Sequence, residues 1–337
     1  MTPSRLGALQ GFGNFCNPET TWGKLAWVPT ETVGKLGLEA WLLTDRSILA
    51  LDGKPVPGAP SGGQSVVAGV SREDIGVIVD EHKVWIRSGT RWTEAAASED
   101  ALYSIERTKD GRFLVGTERA RIAWVEGGRL AYIEAFDAVP ERRLWDTPYG
   151  APPELRSLAV STDGTVYANV HVGWIVRSRD GGTSWTSVRR GLNRDVHMVA
   201  AHPTNRATVF AATADGFHIS HDHGDSFHRR AEGMKYYYQR AVACFPGRDV
   251  YLASTARHNG GSGALLFRSM GEGEHWVQVK GLPRVDRNIN TWQVATFPDG
   301  RALAVVRDTD LYASEDWGVS WELAREDLPT VNAILPL

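Results

Sequence analysis

Apolar runs of six or seven residues recur along the chain, starting 37 to 53 positions apart: Leu38–Thr44, Ile75–Asp80, Arg112–Thr117, Thr165–Val170, Thr208–Thr213, Asp249–Ser254 and Arg301–Val306. Runs this short, rich in Val, Ile and Ala and bounded by Gly, Asn and Asp, predict strands buried on both faces rather than helices. A second pattern precedes most of them. The segments LYSIERT, LRSLAVS, VHMVAAH, QRAVACF, TWQVATF and VNAILPL superpose, with apolar residues at Ile105, Leu158, Val199, Val242, Val294 and Ile334. Their alternation is that of strands with one face packed and one open. Each unit therefore reads as strand A, turn, strand B, loop, strand C, turn, strand D.

The turn between strands C and D repeats as S-x-D-x-G-x-x-W. Ser178, Asp180, Gly182 and Trp185 form one copy; Ser220, Asp222, Gly224 and Phe227 a second, with Phe for Trp. Ser269, Gly273 and Trp276 form a third without the Asp, and Ser314, Asp316, Gly318 and Trp321 a fourth. The copies start 42, 49 and 45 residues apart, and an apolar residue follows each at Leu192, Met234, Leu282 and Leu328. The Asp accepts backbone N–H groups across the turn, the Gly permits positive φ, and the aromatic ring packs the turn onto its sheet. The first three units lack a full copy, although Ser88 to Trp92 is a worn remnant.

These motifs resemble the Asp-box, or BNR, repeats of sialidase-like, sortilin-like and photosystem II assembly-factor propellers. The resemblance and the seven B-like runs predict an all-β fold, a single seven-bladed β-propeller of four-stranded antiparallel blades. The first run lacks an A strand before it, and Val331–Leu337 matches the start of one, so the C-terminal strand is expected to close the ring. The propeller spans residues 37–337, and residues 1–36 form an N-terminal arm or cap. The Asp-box carboxylates Asp180, Asp222 and Asp316 are then structural, and the His221/His223 pair and the turn residue His202 are poor metal ligands.

Composition narrows the chemistry. The formal net charge is -3, with 35 Gly and 13 Trp, so no global basic field favours nucleic acid. Cys16 and Cys244 make neither a disulfide framework nor a zinc motif, and are expected as reduced thiols. No apolar run suits a secretory leader or a membrane span, which makes a soluble, cytoplasmic protein without membrane insertion the expectation.

The site follows from the register. In propellers the A strands line the central channel, and the D–A and B–C connections share one face. The second position of the A strands holds Tyr103, Arg156, His197, Arg240, Trp292 and Asn332, with Gln64 or Ser65 as the equivalent in the second blade. Two arginines about 8 Å apart at an effective dielectric near 20 repel by about 2 kcal/mol, so an anion, a carboxylate or water must relieve them. The loops add His171, Trp174, Arg257, His258, Arg307 and, from the D–A side, Tyr238. The expected ligand is a polar, anionic small molecule, a glycan or a peptide carboxylate held in this Arg/His/aromatic funnel.

Two alternatives stay open. One is an enzyme, a hydrolase or lyase, in which His197 or His258 is the general base and Arg156 and Arg240 stabilise a developing oxyanion or a substrate carboxylate. The sialidase pattern would require an arginine triad, imitated by Arg156, Arg240 and one of Arg119, Arg257 or Arg307, and Tyr103 with Asp45 or Asp308; its Phe/Tyr-Arg-Ile-Pro motif is missing from the sequence. The other alternative is a protein-assembly scaffold with its partner on the top face, as the arginine-rich face of photosystem assembly factors implies. No cofactor is predicted, and a divalent metal on His171, His197 and His258 is a weaker geometric alternative.

Overall fold

The computed structural model describes residues 37–147, 150–260, 262–285 and 293–337. Seven antiparallel sheets form a closed seven-bladed β-propeller. All seven B strands are buried along their whole length: Ala40–Thr44, Ile75–Val79, Phe113–Thr117, Val166–Val170, Val209–Thr213, Tyr251–Thr255 and Ala302–Val306. The cause is their place in the middle of a blade, where neighbouring blades cover both faces. Hydrophobic clusters accordingly form between blades. One joins Tyr167 and Ile175 of the fourth blade to Val199 and Phe227 of the fifth.

The ring closes as expected. Val331–Pro336 pairs antiparallel with Ala40–Thr44, and Ile48–Ala50 completes a three-stranded first sheet. That blade departs from the four-strand pattern at its outer edge, where only the Leu49–Pro55 bridge continues the sheet. The segment beyond it carries Pro55, Pro57 and Pro60, which have no N–H to give to a ladder. Between the third and fourth blades the chain inserts a short helix, Glu134–Asp137, and a 3₁₀ turn, Pro140–Leu144. Phe136 there is fully buried, edge-on to Trp185 at 5.1 Å.

The repeated turns hold blades to one another. Asp180 accepts hydrogen bonds from the Ser184 N–H at 2.9 Å, its hydroxyl at 2.6 Å and the Ser178 hydroxyl at 2.9 Å. The same set recurs at Asp222 and Asp316. Where the Asp is missing, Ser269 instead donates to the carbonyls of Met270 and His275. Gly182, Gly224 and Gly318 sit at φ of 90°, 84° and 78°. A Cβ there would press on Trp124, Tyr167 and Leu252 of the preceding blade, at 3.2, 3.3 and 2.9 Å. Positive φ and close approach thus both demand glycine. His221 and His223 diverge, one toward Glu272 and the other toward Asp163 on opposite neighbouring blades.

Candidate functional site

A recurrent irregularity aims side chains into the channel. In the A strands Val66–Ser71, Leu102–Arg107, Leu155–Val160 and Val196–Ala201, the ladder skips the second residue. The skipped residues are Val67, Tyr103, Arg156 and His197; Asn332 is skipped likewise in the closing strand. In the sixth blade the same one-residue slip falls between the Tyr238–Ala256 bridge and the Val242–Ala253 pair, around Arg240. A β-bulge leaves its extra residue unpaired and re-aims the side chain. Release from the ladder lets this position carry large polar side chains, as at Tyr103, Arg156 and His197. Val67, rather than Gln64 or Ser65, holds it in the second blade; Gln64 and the Ser65 N–H are both bound to Asp80.

Tyr103, Arg156, His197 and Arg240 line one channel cavity of about 570 Å³, together with Glu154 and Gln293. Glu154 lies 2.8 Å from the Arg156 guanidinium and offsets its charge in the channel. Burial, followed by the nearby carboxylate of Glu154, raises the Tyr103 phenol above its usual range.

Beside the channel a second cleft of about 480 Å³ opens between the B–C and D–A connections. His171, Tyr236, Tyr238, Arg257 and His258 line it, with Asp195 and Asp215. Arg257 donates to the Tyr236 hydroxyl at 2.9 Å and lies 5.4 Å from its ring centre. Arg240 repeats the arrangement on Tyr238, at 3.3 Å and 5.4 Å.

A buried cluster separates the two spaces. Asp195 Oδ1 lies 3.4 Å from His171 Nε2 and 3.1 Å from His197 Nε2. The imidazoles are buried, and the His197 ring lies 4.6 Å from that of Tyr238, tilted by 48°. His197 Nδ1 contacts the Gln239 carbonyl. Burial, then the positive Arg156, pushes the His171 pKa down; burial likewise lowers that of His197, against the opposing pull of Asp195. Burial works to raise the Asp195 pKa, but its contact with His197 and the charges of both histidines and Arg240 bring it below the usual range.

The remaining candidates are dispersed. Trp174 packs under Arg194 at 5.3 Å and belongs to the core between the fourth and fifth blades. Arg307 is exposed, 4.0 Å from Asp310. Asn332 donates to the Val66 carbonyl at 3.0 Å and the Ser65 hydroxyl at 3.3 Å, tying the closing strand to the second blade. His258 lines the cleft but its Nδ1 accepts the Gly260 N–H, and Asp195 rather than His258 completes the cluster with His171 and His197. Trp292 lies outside the described residues. Asp195 and Glu154 were the residues that the sequence reading missed. Both stand two places before the aligned second position, at Arg156 and His197, the signal that would have found them.

The fold and this face define a seven-bladed propeller with a polar, arginine- and tyrosine-bearing channel mouth. No family model matches the chain. It is 26% identical over 201 residues to a xyloglucanase of Hypocrea jecorina (strain QM6a), a match covering 58% of this chain and 23% of that protein. The chain thus spans about a quarter of that relative. Among solved structures it is similar to the GH74 enzyme of Niastella koreensis, at TM-score 0.59 and 12% identity, covering 79% of this chain and 46% of the other. It is also similar to YCF48 bound to D1 peptide, at TM-score 0.51 and 15% identity, covering 85% and 84%. Both likenesses are of fold. Among the described residues no helix is long and apolar enough to cross a membrane.

Proposed function

We propose that this propeller binds an oligosaccharide bearing an acidic group, laid across the channel mouth and the adjoining cleft. The observation that carries the reading is a pair of arginine–tyrosine contacts, Arg257 on Tyr236 in the cleft and Arg240, from the channel side, on Tyr238 at the cleft wall. Each pair sets a phenol beside a guanidinium, a combination that suits sugar hydroxyls and acidic substituents. The likeness to a xyloglucanase supports a glycan over other polar ligands. Isothermal titration against neutral and uronic-acid-containing oligosaccharides tests it. Acidic oligosaccharides should bind, and Arg240→Ala and Arg257→Ala should each weaken them more than the neutral ones. Equal loss for both sets, or no binding by either, would overturn the reading.

A second reading, glycan hydrolysis, draws on the same xyloglucanase likeness. It needs two carboxyl groups about a scissile bond. Glu154 lines the channel cavity and Asp195 the cleft, and Glu154 is the carboxylate this reading would assign first. Release of reducing ends from xyloglucan, lost in Glu154→Gln, would favour it; turnover unchanged in that variant would remove it. A peptide carboxylate is the third occupant of the same chemistry, since the similar YCF48 propeller is seen with a peptide.

A further inference from the structure

We infer that His171, Asp195 and His197 form a binding site for one first-row divalent metal ion of the zinc class, with a coordination position open to the cleft. The inference is independent of the glycan reading. One potential ligand atom from each of the three residues lies within 4.8 Å of the others. Around an ion with metal–ligand distances near 2.0–2.1 Å, the edge of a tetrahedron is about 3.3 Å. The two measured edges from Asp195 Oδ1, 3.4 Å to His171 Nε2 and 3.1 Å to His197 Nε2, have that length.

The tautomers argue the same way. His197 Nδ1 faces the Gln239 carbonyl, which only accepts, so Nδ1 carries the ring proton. In the neutral ring Nε2 is then a bare lone pair, and it points at a carboxylate oxygen. Neither that nitrogen nor Asp195 Oδ1 makes a well-formed hydrogen bond, although both are buried; the His197 side chain is 0% exposed. Two lone pairs 3.1 Å apart oppose one another, and a cation between them removes the opposition. A backbone carbonyl on the distal nitrogen is also the usual way a ligating histidine is oriented.

The site is reached from one side. His171 and Asp195 line the cleft, so a fourth ligand can arrive there, whereas His197 closes the floor from the channel side. Three protein ligands with an accessible fourth position are the pattern of ions that act on a substrate or hold one, rather than of closed structural sites. The charge around it suits an anion. Arg156 is matched by Glu154, and Arg240 offsets Asp195, so an added dication leaves the pocket positive until an oxyanion, carboxylate or hydroxide joins it.

The test is metal titration of the whole chain. After chelation and dialysis, ZnCl₂ followed by calorimetry should show one equivalent bound, and CoCl₂ should give visible bands of a four- or five-coordinate ion that shift when acetate is added. Asp195→Asn and His171→Gln should each weaken Zn²⁺ by at least the roughly 100-fold that even loss of an outer-shell partner can cost. A His221→Ala/His223→Ala variant, altered in a peripheral turn, should keep full affinity. Failure of the wild-type chain to bind Zn²⁺ or Co²⁺, or full affinity retained in both cluster variants, would overturn the site. If a cluster variant does not fold, the wild-type stoichiometry and the acetate-sensitive Co²⁺ spectrum decide: octahedral, acetate-insensitive bands count against it. Oligosaccharide binding measured with and without Zn²⁺ separates this result from the glycan reading.

Discussion

Closure of the ring by the C-terminal strand has a consequence whose size follows from the packing. Truncation after Thr330 removes Val331 and Leu335, which are 2% and 4% exposed, and leaves Ala40–Thr44 without its inner partner. Burying one such side chain stabilises by about 1.5–3 kcal/mol. Two therefore contribute about 3–6 kcal/mol, or about 2–5 kcal/mol once the compactness of the unfolded chain is allowed for. Against a total stability of about 5–15 kcal/mol this loss is large, and for a propeller of this size it corresponds to a fall in Tm of roughly 3–8 °C. Exposure of the Ala40–Thr44 edge adds a tendency to aggregate. Point variants probe the parts separately: Leu335→Ala, which adds a cavity, should cost about 2–5 kcal/mol, and Asn332→Ala, which loses two hydrogen bonds, about 1–3 kcal/mol. Urea unfolding followed by tryptophan fluorescence measures all three. A truncated chain with an unchanged midpoint would refute the closure argument.

Other outcomes follow from buried polar groups. His202 is buried with its Nδ1 accepting the N–H groups of Thr204 and Asn205, at 3.2 and 3.0 Å, and burial lowers its pKa despite the nearby Asp249 and Glu272. The unfolded chain then binds the proton more readily, so this contribution to stability is complete above about pH 6.5 and is lost as the pH falls below it. His202→Asn, whose side-chain oxygen can accept the same bonds, should flatten that part of the stability profile; an unchanged slope would exclude His202 as its source. Burial opposes ionisation of Asp222, but the bonds from Ser226 and Ser220 hold its pKa down to about 2. Its share of stability is thus present above about pH 4 and lost toward pH 2, and Asp222→Ala should lower stability by about 1 kcal/mol in urea unfolding at pH 7. Burial pushes the Cys244 thiol up to about 12, so in a Cys16→Ser background a thiol reagent should label the chain only after denaturation.

The fold was legible because its most buried elements leave the plainest pattern. Each B strand is covered on two faces, so Ile75–Val79 or Val209–Thr213 reads as an unbroken apolar run. The Asp, Gly and aromatic residues of the C–D turns are demanded by hydrogen bonds, by φ and by the neighbouring blade together. The short helix at Glu134–Asp137 escaped notice because only Phe136 of its four residues is buried, too little for a helical period. The site was legible by half. Alignment brought Arg156, His197, Arg240 and Tyr103 to one cavity, since the bulge that frees them occupies the same position in successive blades. Asp195 and Glu154 look like any exposed acid before a strand, and only the three-dimensional approach to His171, His197 and Arg156 distinguishes them. Trp174 and Arg307 were placed by loop membership alone, and a tight turn can direct a side chain away from the channel as readily as toward it.

The central claim is that ligand recognition belongs to the bulged inner ring and its adjoining cleft, while the repeated turns serve only to join blades. Calorimetry with an acidic oligosaccharide on two variants tests this most directly. Arg156→Ala/Arg240→Ala should lose binding while still unfolding as a cooperative, folded chain, and Asp222→Ala/Asp316→Ala should keep binding at a lowered Tm. The reverse, binding kept in the channel variant and lost in the folded turn variant, would contradict the account.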